Sequence, residues 1–300
     1  MRTARLQAIA AAVLFSTGGA AIKTAAFTGM QVSSFRAGIA ALVLLLWIRG
    51  RIVWSWPMLG VAAVYAATLT LFATSTKLTT AANAIFLQST APFYLVLLGP
   101  LLLRERLRRP DIAYVIAAGA GLALCFAARP EPMVTAPDPE LGNVLGVLCS
   151  VTWAGTLLGL RWVERRRAGI GISAVVVGSF IACGIGLPFI WPLPAAPALE
   201  WATLVYLGVF QVGLAYIFLT RAMGHLPALE ASLLLLLEPV LNPIWAWLVR
   251  GEDPGMLTIA GGSIIVAATA VKTVYDARMA APLATELTET RWPQRGTKGR

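Results

Sequence analysis

The chain alternates long apolar runs with short polar breaks. The runs lie at about 6–26, 31–48, 57–76, 82–103, 112–128, 141–161, 172–190, 201–220, 228–249 and 255–275. Each approaches the roughly 20 residues that a helix needs to cross a bilayer core. The breaks are charge or turn signals, such as Arg49-Gly50-Arg51, Arg104-Glu105-Arg106, Arg165-Arg166-Arg167 and Gly251 to Pro254. The fifth run is the weakest, being short and rich in Gly and Ala. Pro137-Asp138-Pro139-Glu140 opens the sixth with acid, which suits a helix N-terminus. The runs are continuous rather than alternating, unlike barrel strands. The pattern predicts an all-α integral membrane protein of ten transmembrane helices.

Charge sets the expected orientation. With a cytoplasmic N-terminus, 19 of the 24 Lys and Arg residues fall on inside segments and 5 outside. That asymmetry fits the positive-inside rule with both termini cytoplasmic. Lys23, Arg36 and Lys77 fall toward the outer side, where they can draw a carboxylate or snorkel to headgroups. No Lys or Arg is expected at the midplane, which disfavours phosphorylated substrates. The segment 277–300 is polar and without apolar period, so a disordered cytoplasmic tail is expected.

Composition agrees. Hydrophobic residues make up 58% and charged residues 13%, with a mean hydropathy of +0.76. These values exclude a soluble globular enzyme, a disordered chain and a nucleic-acid-binding domain. The net charge of +10 sits in short clusters between apolar runs. Cys125, Cys149 and Cys183 lie within those runs and read as packing residues. The basic start could pass for a signal peptide, but the run reaches Phe27 and is long enough to span.

An internal repeat organises the spans. Residues 79–105 align with 226–252 without a gap, pairing Asn83 with Glu230, Pro92 with Pro239 and Glu105 with Glu252. The first and sixth spans align at a second offset. There, small residues recur every four positions: Ala8, Ala12, Ser16 and Ala20 against Gly142, Gly146, Ser150 and Ala154. Such ridges let helix backbones approach closely. Five spans per half is an odd number, so the second half is inverted relative to the first. The expected units are 1–129, 130–276 and the tail 277–300.

Ten spans in two inverted halves, Glu105-Arg106-Leu107 closing the fourth span, Glu252 closing the ninth and Phe35-Arg36-Ala37 opening the second resemble a known family. It is the EamA type of the drug/metabolite transporter superfamily. Within it the chain looks most like bacterial YddG-type aromatic amino-acid exporters, over residues 1–276. The resemblance implies a bacterial inner-membrane carrier that exports metabolites by alternating access. It also implies a central cavity walled by the first, third, fourth, sixth, eighth and ninth spans. Small multidrug transporters of the superfamily use a Glu in their first span; this chain has none there.

Candidate cavity residues follow. Pro92 and Pro239 interrupt the fourth and ninth spans and free the carbonyls of Gln88 and Leu235. They are candidate hinges, or plain kinks. Gln88-Ser89-Thr90 adds polarity beside the first. Glu238 is the only acidic side chain expected near mid-membrane, a functional candidate by its cost. It suits proton exchange or pairing with an ammonium; the alternative is a carboxylate held by Asn242 or water. Phe72, Phe86, Tyr94, Trp153 and Tyr216 are candidates for pocket lining, though aromatics also pack or face lipid. Gln211, Asn83 and Lys77 are candidate polar contacts. Ser16 and Thr17 either contact substrate or bond their own helix. Glu230, Glu105 and Glu252 read as structural.

Enzyme readings fail on inventory. The single His225 lies in a turn, and H-E-x-x-H, G-x-S-x-G and Walker patterns are absent. No cofactor and no metal site is expected. The expected partners are a small-molecule substrate, an amino acid by the resemblance, and membrane lipid. One chain holds both halves, so a monomer suffices. An organic-cation exporter and a channel are the rivals.

Overall fold

A computed structural model describes residues 2–94, 109–127, 134–167, 169–223 and 234–289. Regular structure among them is helical. The first expected span is broken into α1 (Arg2–Ser16) and α2 (Gly18–Thr24). The next two are α3 (Gly29–Trp47) and α4 (Trp56–Leu78), and the fourth begins as α5 (Ala81–Gln88). Then come α6 (Arg109–Ala127), α7 (Pro139–Arg166) and α8 (Ile170–Gly186). The eighth span is one long element: α9 (Ala198–Tyr206), a π-helical stretch Leu207–Leu214, and α10 (Ala215–Met223). The chain closes with α11 (Leu237–Arg250) and α12 (Met256–Glu289).

Eight helices among the described residues are long and apolar enough to cross a membrane. The fourth and ninth expected spans are described only in part, as α5 and α11. Helix α12 continues past residue 275, so residues 277–289, expected to be disordered, are helical. Their Ala, Leu, Met and Glu content favours helix, which a reading for apolar period alone overlooks.

Local chemistry fixes the helix starts. Thr28 and Gln31 form a reciprocal capping box on α3, and Ser55, Thr80 and Asp138 cap α4, α5 and α7 through their side chains. Exposed Trp47, Trp54, Trp56, Trp162, Trp191 and Trp201 cluster at helix ends, as an interfacial belt requires.

The small-residue ridges are close-approach faces. Ala8, Ala12, Ser16 and Ala20 are all buried. A Cβ on Gly142 would stand 2.5 Å from the Thr79 amide, and one on Gly146 2.9 Å from Leu87. Helix α7 therefore lies hard against α4 and α5. The Gly-rich fifth span is explained the same way: Gly121 and Gly261 cross so closely that a Cβ on either would meet the other's carbonyl at 2.7 or 2.5 Å.

Candidate substrate site

Interrupted helices meet in the middle of the fold. The first break falls at Thr17, between α1 and α2. The second and third fall at Ser89-Thr90 and at Leu236, just ahead of Pro92 and Pro239. The two proline-associated breaks occupy corresponding places in the repeat. A fourth irregularity is the π-helical stretch around Gln211. Irregular backbone at membrane depth is tolerated where it is buried in protein or lines a cavity.

Around the first break the side chains interlock. Ser16 Oγ donates to the Val13 carbonyl (2.7 Å) and accepts from Trp245 Nε1 (3.0 Å). Thr17 Oγ1 donates to the Leu14 carbonyl and lies 2.9 Å from Tyr206 Oη. Both hydroxyls thus bond their own helix and also reach across it. A Cβ on Gly18 would be 2.7 Å from Gln211 Nε2, and one on Gly19 2.3 Å from Asn242 Oδ1. Only glycine leaves room for these two amides. Asn242 is fully buried, and neither of its amide atoms has a hydrogen-bond partner. An apolar cavity of about 380 Å³ lies between α2, α9 and α11, with Thr17, Tyr206 and Trp245 in its wall.

An aromatic cluster stands beside these groups. Tyr216 packs edge-on against Phe15 (5.2 Å) and Tyr65 (5.5 Å). Arg36 is 1% exposed. Its Nη2 donates to the Leu69 carbonyl (2.8 Å), its Nη1 to Gln211 Oε1 (3.4 Å), and its guanidinium lies 5.8 Å from the Phe72 centroid. Leu69 and Gln211 sit near the middle of their spans, so this cation is central and not on the outer side. The expectation of a cation-free midplane is corrected. Distance from the span ends ignores a side chain drawn inward by neighbouring helices. A signal was available: Ser33, Ser34, Ala37, Gly38 and Ala40 around Arg36 are the small residues of a buried face.

Glu238 is half-buried in the first turn of α11, and its carboxylate makes no ion pair among the described residues. Arg36 thus contacts Phe72 and Gln211, Phe15, Tyr65 and Tyr216 form one aromatic cluster, and Gly18 and Gly19 bring α2 against Gln211 and Asn242.

Other candidates lie elsewhere. The Phe86 ring covers Gly262 of α12. Asn83 Nδ2 donates to Asn143 Oδ1 (3.1 Å), tying α5 to α7. Lys77 donates to the Ala25 carbonyl. Ser89 donates to the Ile85 carbonyl (2.7 Å), and the half-buried Gln88 has an unpartnered Oε1. Tyr94 stands edge-on to Phe93, and Trp153 is half-buried on α7. Glu105 and Glu230 lie outside the described residues.

A polar knot joins the helix ends on the expected outer side. Lys23 Nζ donates to the Thr79 carbonyl (2.5 Å) and the Thr135 carbonyl, and lies 3.6 Å from Glu252 Oε2. Glu252 Oε1 accepts from the Ala81 amide (2.5 Å). Burial pushes the Glu252 carboxyl above its ordinary value, opposed by Lys23 and the Ala81 N–H. The knot ties α2, the α4–α5 turn and the segment after α11 together. Among the described residues no cluster of His, Cys, Asp and Glu could hold a metal.

Known proteins share this organisation. The EamA-like transporter family matches twice, over residues 2–127 and 140–273. The pseudopaline exporter CntI of Pseudomonas aeruginosa (strain UCBPP-PA14) is 29% identical over 277 residues, covering 89% of this chain and 95% of that protein. The aromatic amino acid exporter YddG of Ancylobacter novellus is 28% identical over 211 residues, 67% of this chain and 70% of that one. The riboflavin transporter of Brucella anthropi is 22% identical over 196 residues, 62% and 65%. One solved crystal structure shares the fold, with a TM-score of 0.62 and 22% identity over 93% of this chain and 99% of that chain. The doubled family match, spanning almost all of the helices described above, places the chain in the EamA-like transporter family, within the drug/metabolite transporter superfamily.

Proposed function

We propose that the chain is a secondary carrier that exports small zwitterionic metabolites, amino acids foremost, across the bacterial inner membrane. Ten spans form two inverted halves, 1–129 and 130–276, with both termini cytoplasmic. The halves rock around a central site, and one chain is sufficient. The observation that carries this reading is the convergence of interrupted helices from both halves on a neighbourhood with buried, unpaired polar groups. Glu238 from α11 offers a carboxylate to a substrate ammonium, and Phe15, Phe72, Tyr65 and Tyr216 offer apolar walls to a side chain. The export of amino acids by one relative and of pseudopaline by another supports the direction and the cargo class.

The test is counterflow in proteoliposomes. Unlabelled amino acids are loaded singly, and entry of one labelled amino acid is followed. Accumulation with a subset of the panel is expected. Glu238, which makes no ion pair among the described residues, favours one second reading, an organic-cation exporter. That reading gains if no amino acid drives accumulation while quaternary or primary amines do.

A further inference from the structure

We infer that Arg36 is the anchor for the substrate's carboxylate, so that solutes bearing one are the preferred cargo. This rests on the reading of the chain as a carrier of small zwitterions. Arg36 comes from α3, outside the six spans expected to wall the cavity, yet its guanidinium reaches the mid-span carbonyl of Leu69 on α4 and the amide of Gln211. A guanidinium carries five N–H donors. Here one makes a good bond to a carbonyl, a second makes a long one, and Nε has no partner. No anion is paired with Arg36 among the described residues, although it is 1% exposed. A brace between α4 and the π-helical stretch needs only a neutral donor, which costs far less to bury than an unpaired cation.

The geometry is that of a half-filled binding group. Phe72 covers the guanidinium at 5.8 Å, while the edge, where a carboxylate forms two parallel bonds, is incompletely used. The carboxylate of a solute would supply the anion that Arg36 lacks among the described residues. A carboxylate fits better than a phosphate, because a single buried cation stands here among aromatic walls.

The experiment compares three labelled probes in counterflow: phenylalanine, its carboxamide and phenethylamine. O-phosphoethanolamine is a fourth, unlabelled competitor. The wild-type protein is expected to prefer the carboxylate. Arg36→Gln lowers that preference by roughly 10- to 100-fold, the size of a lost charge-assisted hydrogen bond. Arg36→Lys keeps the preference with a raised KM. Gln211→Glu is the second line, because it sets a carboxylate beside Nη1 and satisfies the cation internally. Folded protein, checked by size-exclusion chromatography, is expected to lose its preference for phenylalanine over the carboxamide. An unchanged carboxylate-to-carboxamide ratio in Arg36→Gln and Gln211→Glu overturns the inference and leaves the carrier reading intact. Stronger competition by O-phosphoethanolamine than by phenylalanine also overturns it. Absence of exchange with every amino acid in the wild-type protein overturns both.

Discussion

Gly142→Ala isolates the close approach of α7 to α4. The added Cβ would lie 2.5 Å from the Thr79 nitrogen, 2.7 Å from Thr79 Cβ and 2.8 Å from the Leu78 carbonyl carbon. Two of these atoms are backbone, so no rotamer relieves the clash. Ordinary contact begins near 3.4 Å, so α7 must retreat by about 1 Å. Overpacking of this kind costs about 1–3 kcal/mol. Alanine also gains roughly 0.5–1 kcal/mol over glycine in a helix. Gly60→Ala supplies the correction. Gly60 lies in the opening turns of α4, as Gly142 does in α7, and a Cβ there meets nothing within 4 Å. At about 2–4 °C per kcal/mol for a chain of this size, Gly142→Ala should melt roughly 2–12 °C below Gly60→Ala. The assay is fluorescence-detected size exclusion after heating in detergent. Equal melting of the two variants would refute the packing argument.

Three further outcomes are expected. Gly19→Ala pushes its Cβ onto the Asn242 amide, 2.3 Å from Oδ1, and should depress exchange; adding Asn242→Ala restores room, so a double-mutant cycle reads strong positive coupling. Lys23→Met leaves Glu252 buried without its cation and should lower the melting point more than Lys23→Met/Glu252→Gln does, because one partner left uncompensated costs about 3–5 kcal/mol. Gly261→Leu should block the α6–α12 crossing, where even a Cβ stands 2.5 Å from the Gly121 carbonyl, and abolish recovery of monodisperse protein.

The two proline-associated breaks were legible because their cause is local, whereas the break at Thr17 and the π-helical stretch Leu207–Leu214 carry no proline and were not. A proline removes one hydrogen bond wherever it sits, and the 147-residue offset that pairs Pro92 with Pro239 also pairs the observed breaks. The glycine ridges were legible for the same reason, since a missing Cβ is a property of one residue. Rotation about a helix axis was not. Apolar residues surround a membrane helix on most sides, so nothing in the pattern distinguishes Phe72, beside Arg36, from Phe86, over Gly262. Depth failed for Arg36 because a long side chain goes where its neighbours offer acceptors. The carbonyl of Leu69 and the amide of Gln211 lie 33 and 175 residues away in sequence.

The most direct test of the central claim is counterflow of an amino acid by wild-type protein and by Glu238→Gln, with bilayer conductance recorded alongside. Glu238 stands in the first turn of α11, two residues after the break at Leu236, and makes no ion pair among the described residues. Saturable accumulation without conductance is expected, together with its loss when the carboxylate becomes an amide in folded protein. Conductance without counterflow, or full counterflow in Glu238→Gln, would contradict it.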